Sequence, residues 1–393
     1  MNRRQFLPFL ALPLVSALPR IAGATSQYGR ALTKDSIVVI GSGVMGASIA
    51  YHLAKRGARV TLIEKDEPAS GTTKNSFAWI NANNKTPFPY YALNYEGMLG
   101  WRRLQMEIGP ELKIQWGGGI SWCGTNEKKI EKLNYTTYVH QPWGYPINSI
   151  TLQDLQILVP GINAGEFGTG WYSTVDGTLD PVAATLTLVS AAKKMGVELV
   201  KANVSDIEFK DNAATGVITD KGHFSADHVV IAAGIDSTRL GALAEIPVPL
   251  KTSKGILAHS KPMAPLVHKV LMPELADIKQ NPDGRIITGS NFGDTGTQEP
   301  TVELGKKLLD VVTQYLPETK GIELDYMTLG YRVLPRDEYP IMGRGRHYHN
   351  VHVAAMHSGM TSAPIIGQLF AIEVLDQVET VQLQDFRPTR FLS

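Results

Sequence analysis

Cysteine is almost absent from this chain: Cys123 is the single one in 393 residues. That excludes an internal disulfide framework and any zinc or iron–sulfur centre built on a cysteine cluster. A charge excess of either sign is missing too, since 38 Lys and Arg stand against 37 Asp and Glu. Phosphate recognition along a nucleic acid normally needs clustered Lys/Arg, so no nucleic-acid partner is expected. The apolar stretch Phe6 to Leu18 is shorter than the ~20 residues that span a bilayer and is interrupted by Pro8 and Pro13. No stable membrane anchor is expected from it. A Gly-x-Ser-x-Gly elbow, which hydrolase chemistry would need, does not occur, nor does an internal repeat.

What is present begins with Asn2-Arg3-Arg4-Gln5-Phe6-Leu7, which leads into that apolar stretch and ends at Ala22-Gly23-Ala24. Residues 1–24 read as a cleaved signal peptide of the twin-arginine type, which addresses folded cargo to the twin-arginine export machinery. The expected location is periplasmic or otherwise exported. The alternative is a frayed basic tail on a cytoplasmic protein.

From Ser36 the run Ile37-Val38-Val39-Ile40 suits a strand buried on both faces of a parallel sheet. Gly41-Ser42-Gly43-Val44-Met45-Gly46 follows at once. Glycines at this spacing allow a tight turn, a close approach of backbone to a pyrophosphate and close packing of the next helix. That helix is predicted from about Val44 to Arg56, with Gly57 as its stop. A second strand, Arg59 to Ile63, ends in Glu64, at the distance where an acidic side chain meets ribose hydroxyls. Strand, turn, helix, strand and acid in this order predict a dinucleotide site. These residues alone do not separate FAD from NAD.

Further along lie the hydroxyl-rich loop Gly71-Thr72-Thr73-Lys74-Asn75-Ser76-Phe77-Ala78-Trp79, the run Asp176-Gly177-Thr178-Leu179-Asp180-Pro181, and a strand ending Ala232-Ala233-Gly234. The C-terminal part holds Gly330-Tyr331-Arg332 and Met356-His357-Ser358-Gly359-Met360-Thr361. With the glycine turn and Glu64, these ordered blocks resemble the FAD-dependent D-amino-acid oxidase superfamily, in the branch that holds glycine oxidase and monomeric sarcosine oxidase. The resemblance covers nearly the whole chain after the signal segment. It implies an α/β fold, α+β overall: a Rossmann-like FAD-binding domain from residues 35–85, 165–245 and 326–393, and a discontinuous antiparallel-sheet substrate domain from 86–164 and 246–325.

Carried over residue by residue, the resemblance implies that Gly41, Gly43, Val44, Met45 and Gly46 hold the pyrophosphate, and that Glu64, with Lys65 beside it, holds the ribose. It sets Thr72, Thr73, Phe77, Ala78 and Trp79 along the ribityl chain and isoalloxazine, Val204 at adenine through its backbone, and Ala233 and Gly234 at a close approach to the cofactor. Ser358, Gly359, Met360 and Thr361 would lie at the flavin pyrimidine edge. Ser362-Ala363-Pro364 reads as a helix start whose free N–H groups favour negative charge there.

Arg332 matches the position where the glycine oxidase branch places a carboxylate-binding arginine, and a planar guanidinium fits a carboxylate bidentately. Its alternative is a structural ion pair with Asp337 or Glu338. His357 would hydrogen-bond the cofactor or help neutralise reduced flavin, or else be a packed structural histidine. His347, His349, His352 and His357 are close in sequence but have no cysteine nearby, and neighbours on a strand face opposite ways, so no metal is expected. Trp101, Trp116, Trp122 and Trp143 read as core rather than as a cage.

Two departures bear on the chemistry. Gly330 stands where sarcosine oxidases attach flavin through cysteine, so FAD is expected to be non-covalent. The substrate tyrosine of glycine oxidase has no counterpart between Leu257 and Asn291. The implied reaction oxidises a C–N bond of an amino acid or amine by hydride transfer to FAD, with oxygen or another electron acceptor. The alternatives are a FAD-dependent dehydrogenase of a hydroxy acid or polyol phosphate, and a non-catalytic flavin-binding module.

Overall fold

The computed structural model describes residues 35–289, 295–296 and 298–392. The twin-arginine segment lies outside the described residues. Among them, no helix is long and apolar enough to cross a membrane.

Ser36–Ile40 is a central strand of a six-stranded sheet. It pairs in parallel with Arg59–Glu64 on one side and His228–Ile231 on the other. Glu198–Lys201 and Val351–Ala355 extend the sheet in parallel, and Ile341–Arg344 closes one edge antiparallel. The near-continuous apolar runs are explained by cover on both faces. Val39, Leu62 and Val230 face a core shared with the helices Val44–Lys55, Pro181–Lys194 and Gly359–Asp376. Val38, Ile40, Ile63 and Ile231 face Ile207 and Val217 of a three-stranded antiparallel sheet, Val204 to Ser225.

A second, eight-stranded sheet carries the roof. Its order is Leu324–Tyr331, Lys254–Ser260, Ile286–Gly289, Asp277–Gln280, Val270–Met272, Gly119–Cys123, Thr169–Ser173, Ile147–Ile150. The helix Val302–Tyr315, capped by the Thr301 hydroxyl accepting from the Leu304 N–H at 3.2 Å, packs through Val312 and Tyr315 on one face, with Ile120, Leu271 and Ile278. Leu257, Val270 and Ile287 point the other way, towards Phe77.

Three expectations need correction. The roof sheet is not wholly antiparallel: Val270–Met272 runs parallel to Gly119–Cys123. These strands come from different chain segments joined edge to edge, and a long connection is what a parallel pair requires. Thr169–Ser173 and Leu324–Tyr331 belong to this sheet rather than to the cofactor-side segments, because their hydrogen-bonding partners are there.

The C-terminal helix starts at Gly359, three residues before Ser362, with Pro364 inside it. Proline tolerates this because the carbonyl it leaves without a partner, that of Met360, accepts instead from Trp101 Nε1 at 2.7 Å. Trp101 sits on the helix Phe88–Ile108, whose Gly97 and Gly100 permit the close contact. A Cβ at Gly97 would stand 2.4 Å from the Thr361 carbonyl oxygen.

Candidate active site

The glycine turn is shaped by contacts no side chain could occupy. Gly41 has φ +99, and a Cβ there would lie 2.5 Å from the Ala232 carbonyl oxygen. A Cβ at Gly46 would lie 1.8 Å from the Gly41 carbonyl oxygen. Gly46 therefore packs the helix onto the turn and does not line the cavity, which corrects its expected pyrophosphate contact. Val44 is on the cavity wall, but its N–H already donates to Thr73 Oγ1 at 3.0 Å, so the amide is engaged within the protein. The Glu64 carboxylate is aimed by Ser42, whose N–H and hydroxyl both donate to Oε2 at 2.8 Å.

In front of this turn lies a cavity of about 330 Å³. Gly41, Gly43, Val44, Met45, Glu64, Lys65, Thr72, Thr73, Val204, Ala233, Gly234, Gly359 and Met360 all line it. A second cavity of about 300 Å³ lies under the roof sheet and is lined by Phe77, Ala78, Trp79, Arg332, Ser358 and Thr361. Thr72, Asn75, Tyr331, His357 and Met360 line both, so the two form one trough. The residues present fit a dinucleotide flavin. The helices starting at Val44 and Gly359 begin at the trough without a side-chain cap from their N-cap residues, which leaves early N–H groups for an anionic ligand.

Arg332 follows the last residue of Leu324–Tyr331. Its N–H donates to the Ser253 carbonyl at 2.8 Å and its Nη1 to Ser253 Oγ at 3.2 Å. Gly255 makes room for the guanidinium, since a Cβ there would lie 2.9 Å from Nη2. The acids weighed as its ion partners are engaged elsewhere: Asp337 takes Arg390 Nε at 2.8 Å, and Glu338 takes Lys251 Nζ at 2.6 Å. His357 faces the trough and is open to it. Burial, helped by the nearby charges of Lys85 and Arg332, pushes its pKa down to about 3. That shift favours the neutral imidazole in the protein by itself. The neutral ring retains one donor and one acceptor.

Trp79 is held by a buried acid. Its Nε1 donates to Asp176 Oδ2 at 2.8 Å, Ser173 Oγ donates to Oδ1 at 2.5 Å, and the Tyr145 hydroxyl donates to the same oxygen. Burial outweighs these donors and pushes the Asp176 pKa up to about 7.

Sequence reasoning missed Lys85, Asp277 and Tyr331 on the trough, while Asn75 and Ser76 fall in the hydroxyl-rich loop it did single out. Tyr331 supplies an aromatic side chain from the strand preceding Arg332, outside the interval where a tyrosine was sought. Its carbonyl accepts from Thr72 Oγ1 at 2.9 Å. The four expected core tryptophans line neither cavity; Trp101 and Trp122 are buried, and the Trp116 ring lies 4.0 Å from the Arg102 guanidinium. Cys123 is buried in the roof sheet, away from the trough.

Residues 36–371 match the family described as DAO, FAD dependent oxidoreductase. The chain belongs to this family. It is thus of the FAD-dependent oxidoreductase type. The DAO chain is similar to a bifunctional protein ThiO/ThiG of Trichormus variabilis, 26% identical over 92% of this chain and 55% of that protein. It therefore spans about half of that relative. It is also similar to a glycine oxidase of Geobacillus kaustophilus, 26% identical over 91% of this chain and 97% of that enzyme. In fold it is similar to an L-proline dehydrogenase from P. horikoshii, with a TM-score of 0.82, 24% identity, and coverage of 91% of this chain and 98% of that one. The Rossmann-like FAD-binding fold is shared with these DAO structures.

Proposed function

We propose that this enzyme oxidises the carbon next to an amine in substrates that carry a carboxylate, with FAD held non-covalently along the trough and Arg332 as the carboxylate anchor. The observation that carries this reading is the Arg332 guanidinium on the wall of the second cavity, beside His357 and opposite the Gly255 gap that accommodates it. The similar enzymes named above, a glycine oxidase and a proline dehydrogenase, favour an amino acid over a hydroxy acid. FAD, when bound, supplies the two-electron acceptor.

The chain's own residues supply orientation. Bidentate contact at Arg332 fixes one end of the substrate, so that its α C–H is presented in one direction. Leu257 of the roof sheet, with Phe77 facing it, keeps water from the reacting carbon. No strong base is required if the amine arrives unprotonated: the carbon loses hydride, the nitrogen loses a proton, and water then hydrolyses the imine to a carbonyl compound and an amine or ammonia. His357, neutral in the protein by itself, acts through hydrogen bonds.

Anaerobic mixing of purified protein with a panel of amino acids, amines and hydroxy acids tests this, with flavin bleaching as the readout. Bleaching by carboxylate-bearing amines is expected, and admission of air afterwards tests oxygen as the acceptor. Bleaching by hydroxy acids alone would overturn the substrate class. Denaturation is expected to release FAD, because Gly330 offers no thiol for attachment. The segment with Arg3 and Arg4 supports export of the loaded enzyme; Arg3→Lys with Arg4→Lys keeps the charge and is expected to retain the protein in the cytoplasm. Unaltered export of the double variant would favour another route.

A further inference from the structure

The second cavity holds a cation that the reaction as described leaves without a task. Lys85 follows the Trp79–Ile80 strand in the run Asn81-Ala82-Asn83-Asn84-Lys85, and its carbonyl meets His140 Nε2 at 3.2 Å. Its side chain lines the second cavity with Asn83, His357 and Ser358. The ammonium lies 5.6 Å from the Tyr90 ring centroid, and among the described residues no acid contributes to its environment. Burial alone lowers its pKa to about 8.

A fully buried lysine of this enzyme is provided for differently. Lys279 donates to the Leu179 carbonyl at 2.8 Å and has Asp180 and Asp283 near it. Among the described residues Lys85 has only a ring face, which offsets little of the penalty of removing an ammonium from water. An anion that arrives with the substrate would offset the rest. Asp277, an acidic residue of the same lining, lies on the roof strand Asp277–Gln280 and does not act on Lys85. The buried side-chain oxygen of Asn83 also has no hydrogen-bond partner, so the polar wall at this end is incomplete within the protein.

We propose that Lys85 forms a second anion subsite in the substrate cavity, so that the preferred substrate is an amino acid with two anionic groups, one carboxylate on Arg332 and another on Lys85. The two cations share one cavity, and both lie close enough to His357 to depress its protonation. A single carboxylate occupies one of them. A dicarboxylic amino acid, or an N-carboxyalkyl amine, occupies both and is thereby held at each end of the carbon to be oxidised. This inference rests on the reading of Arg332 given above.

The test titrates FAD-loaded enzyme with unreactive acids, acetate and propionate against malonate, succinate and glutarate, and follows the flavin absorbance. Turnover of alanine against aspartate and of N-methylglycine against N-carboxymethylglycine is measured in parallel. At least one dicarboxylate is expected to bind about 10- to 100-fold more tightly than its monocarboxylate, the range of one charge-assisted contact. Lys85→Met is expected to bring that ratio towards one and Lys85→Arg to keep it. Lys85 is half-buried and makes no ion pair among the described residues, so neutralising it should not impair folding, and Lys85→Gln serves as a second neutral variant. A wild-type ratio near one, or a ratio unchanged in both neutral variants, overturns the proposal; the latter result would give Lys85 to the cofactor instead. Arg332→Met in the same titration separates the two readings. If it leaves monocarboxylate binding intact, the Arg332 assignment fails, whereas the Lys85 ratio stands or falls by itself.

Discussion

The two halves of the trough adjoin at Thr72, Tyr331 and His357 but are built by different means. The cofactor half is mostly backbone and small residues, with Gly41, Gly43 and the strand end Ala233–Gly234 supplied by segments that are compact in sequence. The substrate half is mostly side chains brought from far apart: Trp79, Lys85, Leu257, Asp277 and Arg332. A backbone surface tolerates no added atom, while a side-chain surface tolerates exchange and changes its selectivity. The first therefore fixes which cofactor class binds, and the second decides what is oxidised.

Gly46→Val is the hardest blow to the cofactor half. Its Cβ would meet a carbonyl oxygen at 1.8 Å, so the turn and helix have to separate. The expected outcome is protein without flavin and a stability loss of about 4 kcal/mol or more, read by denaturant unfolding and flavin content. Normal loading of this variant would break the distinction between the halves at once.

Arg332→Met attacks the substrate half alone. Flavin content should persist while kcat/KM for carboxylate substrates falls roughly 10- to 150-fold, the worth of one buried bidentate contact. Simple amines should lose little. If this variant also lost FAD, the two halves would be one cooperative unit.

Asp176→Asn tests the support behind Trp79. Burial raises this carboxyl to about 7, above its ordinary value near 4. Below about pH 4 it is neutral in folded and unfolded chains alike. Between about 4 and 7 the unfolded chain releases the proton while the folded one keeps it, so the group's contribution to stability falls as pH rises, then levels off. The Asn variant should lose this slope, which is on the order of 2 kcal/mol between pH 5 and pH 8. Parallel unfolding curves of both proteins at the two pH values check it.

The smallest effect is expected from Thr73→Val. The Val44 N–H would lose its acceptor at 3.0 Å, at about 1 kcal/mol or roughly a 5-fold weaker hold on FAD. Equilibrium flavin titration of apoprotein measures it.

The cofactor half was largely legible in the sequence. Strand, turn, helix and Glu64 are contiguous and carry period and punctuation that local chemistry imposes, and the helix Val44–Lys55 ends one residue before the predicted end at Arg56. The hydrogen bond from the Val44 N–H to Thr73 was not legible, because Thr73 lies in another block. The substrate half was legible only where resemblance pointed to it, as at Arg332. Tyr331 lay in plain view beside that arginine, yet nothing in sequence tells which cavity wall a strand residue meets. Lys85 sits in a polar run that reads as a surface loop until the helix Phe88–Ile108 and the C-terminal helix enclose it.

By itself, then, the sequence determined the dinucleotide turn, the alternation of buried runs and the class of cofactor, because each depends on neighbours a few residues away. The tertiary structure alone decided that Thr169–Ser173 joins the roof, that Pro364 is accepted inside a helix with Trp101 at the Met360 carbonyl, and that Lys85 and His357 line the same cavity. Hydrogen-bond partners and dielectric surroundings come from segments tens to hundreds of residues away, and no local pattern encodes them.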